Sequence, residues 1–457
     1  MQGINLHPMT HQAVNLMHEG ILTLSKIEAN GMRIDTSWLK SQHEELTNKI
    51  DQLTQEILST DEVKLWQKKY GTKFSLDSTT QLRDILYNEL GEEPTKVTAA
   101  GAAAVDREVL SQLAKKYSFL EKLLLLRKYK KARDTYLKNL LNETVDGWLH
   151  PTFNLHTVRT FRSSSSNPNF QNIPIRDPDI GKIIRKAFIP RDKDFMFGGC
   201  DYGAQEVKIA ACYHKDPEML KYLKGHGDLH RDVAAMCYMC TPEEVSKQMR
   251  KVAKNKFTFP QFYGDYYKNC AKALWQQMQE MELKLQDGTP LQEHLASKGI
   301  ESYPQFEKHI QDVEYDFWNN KFAVYNQWKR RWINKYYRRG YVDLLTGFRC
   351  QGVMSKNDVI NYPVQGAAFH CLLWSLIRVN RWLNENKLRS KIVGQIHDEI
   401  VMDLHKDEKD YVLPMIKKIM TEDIVKEWPW IIAPLEVEAE FCDPGESWYD
   451  KKEIPIE

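Results

Sequence analysis

Apolar residues between Gln12 and Glu56 recur near three-to-four spacing: Leu22, Leu24 and Ile27, then Leu39, Leu46, Ile50 and Leu53, with Ile57 just beyond. That period predicts amphipathic helices. Between the two stripes, Asn30-Gly31-Met32-Arg33-Ile34-Asp35 predicts a turn into a short extended piece, with Asp35 or Thr36 capping the next helix. Leu76 to Leu90 is a further amphipathic segment with Ser78 as its cap, residues 95–105 (Ala, Thr and Gly) predict a loop, and helices resume over 107–141. Farther on the apolar positions come as short β-branched runs. Ile392-Val393 and Ile400-Val401-Met402 flank a polar middle, which predicts two strands and a tight turn with Asp398 and Glu399 at its tip. Phe195 to Cys200 is another apolar strand, delivering Asp201 at its end. A hairpin is predicted around Thr346-Gly347, and a long apolar helix opening on Asn361-Tyr362-Pro363-Val364-Gln365-Gly366-Ala367-Ala368. A helix over 412–421 and a strand over 435–441 complete the pattern. The run RSSSSNPNFQNIP, 162–174, suits neither helix nor strand and predicts an ordered polar loop.

Composition adds bounds. The 457 residues are enough for about two to four domains. With 42% hydrophobic and 28% charged residues, the chain reads as an ordinary globular protein without a membrane span. Residues 1–15 lack the apolar core of a signal peptide, and of the eight cysteines only Cys237 and Cys240 have CxxC spacing, without a second pair to complete a zinc site, so free thiols and a cytoplasmic location are expected. A net charge of +2 does not announce nucleic acid, but the basic residues are clustered. Lys130 and Lys131 lie in a basic run with Tyr129 and Tyr136, which suits a solvated helix face or a helix along a phosphate backbone. WKRRWINKYYRRGY, 328–341, interleaves aromatic and cationic groups, so one face suits the core and the other single-stranded bases.

An isolated Asp-Glu pair in a hairpin turn is ordinarily solvated. Here a second strand ends on Asp201, and two aspartates on neighbouring strand ends suit a divalent metal used in phosphoryl transfer. Thr241-Pro242-Glu243-Glu244 predicts a capped helix start with Pro at the first position. On that helix Arg250 and Lys254, four apart, can grip one polyanion. Asn169, Gln171 and Asn172, with Arg162 beside them, suit hydrogen bonding to base edges and sugars in a minor groove.

In chain order, RSSSSNPNFQNIP with RKAFIPRD, CDYGAQEVKIAA, GDLHRDVAA, RKVAKNKFTFPQFYG, NYPVQGAA and GQIHDEIV resemble the polymerase portion of family A DNA polymerases. The resemblance runs from about Gln12 to Tyr449, with SKIEANGMRID and SLDSTTQL similar to that family's thumb. It implies an α+β right-hand architecture: an N-terminal extension over 1–11, a thumb over 12–150, a palm assembled from 151–226 and 342–457 around a small antiparallel sheet, and helical fingers over 227–341. It implies two Mg²⁺ ions, with Mn²⁺ able to substitute, held by Asp201, Asp398 and the Tyr202 carbonyl, with Glu399 auxiliary. It places Arg250, Lys254 and His230 on the triphosphate, Lys254 with a catalytic role, and Glu206 under the sugar where it blocks a 2′-hydroxyl. Phe259 and Tyr263 also line the nucleotide, and Gly264 lies near the template base. Arg162, Gln365 and His397 contact the primer end and its minor groove. The implied partners are primer-template DNA and dNTPs, with a separate exonuclease or replisome protein, for a monomer in a bacterial cell or phage-infected host. The exonuclease-like domain that normally precedes the thumb is not in this sequence, so no 3′–5′ proofreading is expected of it.

There are departures. Lys251 stands where bacterial members usually carry Arg, Gly203-Ala204-Gln205 replaces Ser-Gln-Ile, Lys208 replaces Arg, and 265–316 is longer. One residue is also extra between Lys254 and Phe259. With Pro260 unable to offer an N–H to the carbonyl of Lys256, a one-residue π-bulge over about 255–260 is expected to absorb it. The alternative is a regular helix kinked at Pro260, with Thr258 or Phe257 toward the sugar. Competing functions are a single-subunit RNA polymerase, disfavoured by Glu206, and an inactive primer-template clamp, disfavoured by the intact aspartates and basic pair. A metal-dependent nuclease would not need that pair.

Overall fold

The computed structural model describes residues 8–98, 100–174 and 177–456; most of the expected 1–11 extension lies outside them. Its centre is a five-stranded antiparallel sheet in the order Lys452–Ile454, Val437–Phe441, Phe195–Tyr202, Glu399–His405, Lys391–Ile396. The strand that ends beside Asp201 is thus flanked directly by the second strand of the predicted hairpin. Close approach explains its Gly198-Gly199 pair: a Cβ on Gly198 would stand 2.1 Å from the Glu440 carbonyl oxygen, and one on Gly199 2.6 Å from Glu399 Oε1. The remaining elements are mostly helical, in keeping with the α+β class.

The Lys356–Glu385 helix backs the sheet. It begins five residues before the expected Asn361, because Ser355 Oγ accepts from the Asp358 N–H and closes a capping box. Pro363 therefore lies inside the helix. It cannot donate to the Val359 carbonyl, and the Trp332 indole N–H does so instead at 3.1 Å. That donor lets the helix run through the proline.

The N-terminal elements contribute to two separate cores. A helix begins at Pro8, and its Leu24 and Ile27 join the main core. Met32–Ile34 forms the middle strand of a small sheet with Trp148–Leu149 and Phe188–Ile189. A second core, with Ile50, Trp66, Leu82, Phe119 and Leu123, holds the helices that follow. Asp35 caps the Thr36–Leu58 helix and Ser78 the Thr79–Asp84 helix, as the sequence predicts.

Two further expectations change. The 162–174 run is not wholly loop: Ser164–Ser166 pairs with Thr152–Asn154, and Phe170–Asn172 forms a 3₁₀ turn whose Phe170 is buried against Phe188 and Trp448. The capping box of Thr241 and Glu244 closes only a one-turn 3₁₀ helix, Pro242–Glu244. The helix carrying Arg250 starts at Lys247 with Ser246 as its cap. The long 265–316 region is three helices, Tyr267–Glu280, Leu291–Ser297 and Tyr303–Asp316. In the Ala323–Arg339 helix, Trp328 and Tyr336 are buried while Arg330, Arg331, Arg338 and Arg339 are exposed. Among the described residues no helix is long and apolar enough to cross a membrane, and all eight cysteines are free.

Candidate active site

The hairpin turn consists of His397 and Asp398 alone. Glu399 is not at the tip, as expected, but is the first residue of its strand, directly opposite Asp201. The Tyr202 N–H donates to the Asp398 carbonyl at 3.3 Å and ties the turn to the central strand. The Asp201 carboxyl is pushed up to about 8 by burial, then by the charges of Asp398 and Glu399. Burial raises Asp398 and Glu399 as well. Asp201 Oδ1 is buried without a hydrogen-bond partner. Two aspartates with an unsatisfied oxygen, together with a main-chain carbonyl, suit a hard divalent cation, although among the described residues no three His, Cys, Asp or Glu side chains converge into a metal cage. Tyr202 can offer only its main chain there, because its hydroxyl is held by Ser375 Oγ (2.9 Å) and donates to the Met420 carbonyl (2.8 Å).

Phe259 and Tyr263 are delivered to the site by the Lys247–Ala253 helix, which passes through a π turn, Lys254–Thr258, into Phe259–Phe262. The π turn closes with the Phe259 N–H on the Lys254 carbonyl, at the place the extra residue and Pro260 predict. Its effect on register is plain. Phe257 and Thr258 are fully buried, Phe257 against Phe317 with ring centres 5.6 Å apart. Phe259 faces a cleft of about 490 Å³ that Arg162, Glu206, Tyr263, His397 and Asp398 also line. The Lys254 ammonium lies 5.1 Å from the Phe259 ring, and His230 meets that ring edge-on at 5.5 Å. Burial, then Lys254 and Arg250, push the His230 imidazole down to about 4, so it is neutral near pH 7.

Glu206, one residue into the Gln205–His214 helix, is held by the Arg162 guanidinium and accepts from the Tyr263 hydroxyl at 3.0 Å. Arg162 Nε also reaches the Gln365 carbonyl oxygen at 3.5 Å. Gly264 adopts φ +91° and packs where a Cβ would stand 2.5 Å from Asn357 Oδ1. Other predicted groups are differently placed. Gln171 is committed to Gln395 Oε1 (2.6 Å) and Ser163 Oγ (2.8 Å), bracing the hairpin. Asn169 accepts from Ser165 Oγ, and Asn172 is exposed. Lys130 pairs with Asp77 at 2.8 Å and Lys131 is exposed, both on the Ser118–Lys131 helix and outside the residues lining the cleft.

Asp228 is a functional residue that the sequence does not reveal. Its carboxylate accepts from Arg250 Nε at 2.7 Å and from the N–H groups of His230 and Arg231, so it caps one helix and restrains the arginine of another. An Asp one residue before a helix signals only a cap. Buried Lys208 pairs with Glu436 at 2.8 Å.

A family profile described as DNA polymerase family A matches residues 36–450. The chain belongs to DNA polymerase family A. Similar family members include DNA polymerase I of Caldicellulosiruptor bescii, 28% identical over 440 residues, covering 96% of this chain and 47% of that one. The thermostable DNA polymerase I of Thermus aquaticus is 28% identical over 444 residues (94% and 47%), and the DNA polymerase of Bacillus phage SP01 27% over 453 (89% and 47%). The chain thus spans about half the length of these curated relatives. Its fold matches the POL domain of Pol1 from M. smegmatis, solved in complex with DNA primer-template and dNTP. The TM-score is 0.74 at 24% identity, covering 95% of this chain and 70% of that one.

Proposed function

We propose that this chain is a template-directed DNA polymerase that extends a primer 3′ end with dNTPs and releases pyrophosphate. The observation that carries this is the cleft where Asp398, next to the Asp201 strand, meets Glu206, Arg162, Phe259 and Tyr263, with Lys254 and His230 against the Phe259 ring. Two Mg²⁺ ions held by Asp201, Asp398 and the Tyr202 carbonyl would favour the primer 3′ alkoxide and offset the charge of the triphosphate and the leaving pyrophosphate. Arg250 and Lys254 bind the triphosphate, Arg250 leaving Asp228 to do so, and neutral His230 donates a hydrogen bond without adding charge. Glu206 forms a floor under the sugar, Phe259 flanks it, and Tyr263 and Gly264 border the template base. Arg162, Gln365 and His397 receive the primer end, and exposed Asn172 borders its minor groove while Asn169 and Gln171 shape the loop behind it. The relatives' polymerase names and the primer-template and dNTP in the M. smegmatis complex support this reading. In the right-hand description, the second core belongs to the thumb, the five-stranded sheet to the palm, and 227–341 to the fingers. The chain acts as a monomer, and the bacterial and phage relatives support a place in the cytoplasm of a bacterial cell or phage-infected host.

Primer extension on a defined template with Mg²⁺ and either dNTPs or rNTPs tests the proposal. Extension with rNTPs alone would replace it by an RNA polymerase, and none with either by a clamp. Glu206→Ala is expected to raise incorporation of ribonucleotides relative to deoxynucleotides by about ten- to a hundredfold, because a fixed carboxylate that excludes a hydroxyl by shape is removed. An unchanged ratio would reassign the gate. A labelled mismatched primer, incubated with Mg²⁺ but no nucleotides, is expected to stay full length. Shortening that survives Asp201→Ala would reveal a second, proofreading site.

A further inference from the structure

Lys451 is the first residue beyond the family match at 36–450. It is fixed on both sides. The Trp448–Asp450 turn before it buries Trp448, and the Lys452–Ile454 strand after it pairs with Val437–Phe441 at the sheet edge. Its ammonium stands 2.6 Å from Glu440 Oε2 and 3.4 Å from Glu399 Oε1. Glu399 is the residue directly across from Asp201, and its side chain covers Gly199, two residues before Asp201 on the same strand face. The carboxylate therefore shares a row with Asp201 but is drawn toward a cation supplied by the C-terminal segment. Arg185 buttresses this arrangement, its guanidinium lying 4.1 Å from the Trp448 ring centre.

We propose that Lys451 is a positioning residue. It holds the Glu399 carboxylate off the Asp201–Asp398 pair, so that the two aspartates alone receive the divalent cation. The inference rests on the metal reading of those aspartates. Its physical basis is that a buried carboxylate seeks the nearest cation. While Lys451 is in place, that cation is the ammonium. Without it, Glu399 keeps only the more distant guanidinium of Arg185, with which it makes no ion pair, and the incoming metal takes the carboxylate as a third protein ligand. A staple that merely fastened the last strand would leave metal affinity unchanged.

The test measures Mn²⁺ binding to the full chain by electron paramagnetic resonance of the free ion, without DNA or nucleotide. K451M is expected to bind Mn²⁺ about tenfold more tightly than wild type, and K451R within about twofold of it. The gain should vanish in K451M/E399Q. An unchanged affinity in K451M overturns the proposal, as does a gain that persists with E399Q, which would be bulk charge alone. E399Q by itself reads the same point should K451M fail to fold. Its affinity should stay within about twofold of wild type, and a larger loss would mean that Glu399 already ligates the metal. D201N and D398N separate the two layers: if neither weakens Mn²⁺ binding, the metal reading itself fails, whatever K451M does.

Discussion

Asp201→Ala and Asp398→Ala are each expected to bind primer-template normally yet extend it at least about 10²–10³-fold more slowly than the wild-type chain, since charge stabilisation is usually the largest catalytic term. The two carboxylates stand on adjoining strand ends, crowded enough for burial and mutual charge to push Asp201 up to about 8, and Asp201 Oδ1 has no protein partner. Removing either carboxylate removes repulsion from a partly buried site, so in the presence of a chelator neither variant should melt below wild type. Loss of activity without loss of stability distinguishes a catalytic pair from a structural one. Single-nucleotide extension under excess enzyme, with thermal melts in chelator, checks both halves. Near-normal extension by either variant would remove the metal pair from the mechanism, and a markedly lower melting temperature would make the pair structural.

What the sequence made legible was local. The β-branched runs at 392–393 and 400–402 foretold the hairpin because alternation and turn chemistry act over a few residues, and Asp35 and Ser78 were readable as caps for the same reason. Ordered motifs identified the family, and with it the strand pairing that joins Asp201 to the hairpin. Three features were hidden because they depend on partners far away in the chain. The Lys356–Glu385 helix opens on a local cap, Ser355 with Asp358, but its continuity through Pro363 was hidden, since the donor there is the indole of Trp332. Gln171 looked free to meet a base edge, but Gln395 claims its amide. Glu399 read as a second tip carboxylate, whereas pairing with Asp201 draws it into the sheet under Lys451. In each case the deciding interaction spans tens to hundreds of residues, and no local periodicity records it.

Phe259→Tyr is expected to raise dideoxynucleotide incorporation relative to deoxynucleotide by about ten- to a hundredfold, while Phe257→Tyr leaves the ratio unchanged. The two positions differ by two residues and by the π turn between Lys254 and Thr258. In a regular helix Thr258 would follow Arg250 and Lys254 on the same face at intervals of four. The π turn adds one residue to that interval, which turns Phe257 and Thr258 inward and leaves Phe259 beside Lys254 and His230 in the cleft. A dideoxynucleotide lacks the 3′-hydroxyl that can donate to its own phosphates. A phenolic hydroxyl at position 259, between the sugar and the basic groups proposed to hold the triphosphate, supplies a replacement donor. A hydrogen bond to a charged group contributes about 1.5–3 kcal/mol, which sets the expected ratio. At 257 the same hydroxyl would be buried against Phe317 without a partner, costing about 1–3 kcal/mol of stability with no gain at the sugar. Competition between a dideoxynucleotide and its deoxy counterpart on one template position measures both variants. A larger gain from Phe257→Tyr than from Phe259→Tyr would mean that the nucleotide meets the other face of this helix, and that Arg250 and Lys254 no longer share a wall with the sugar contact.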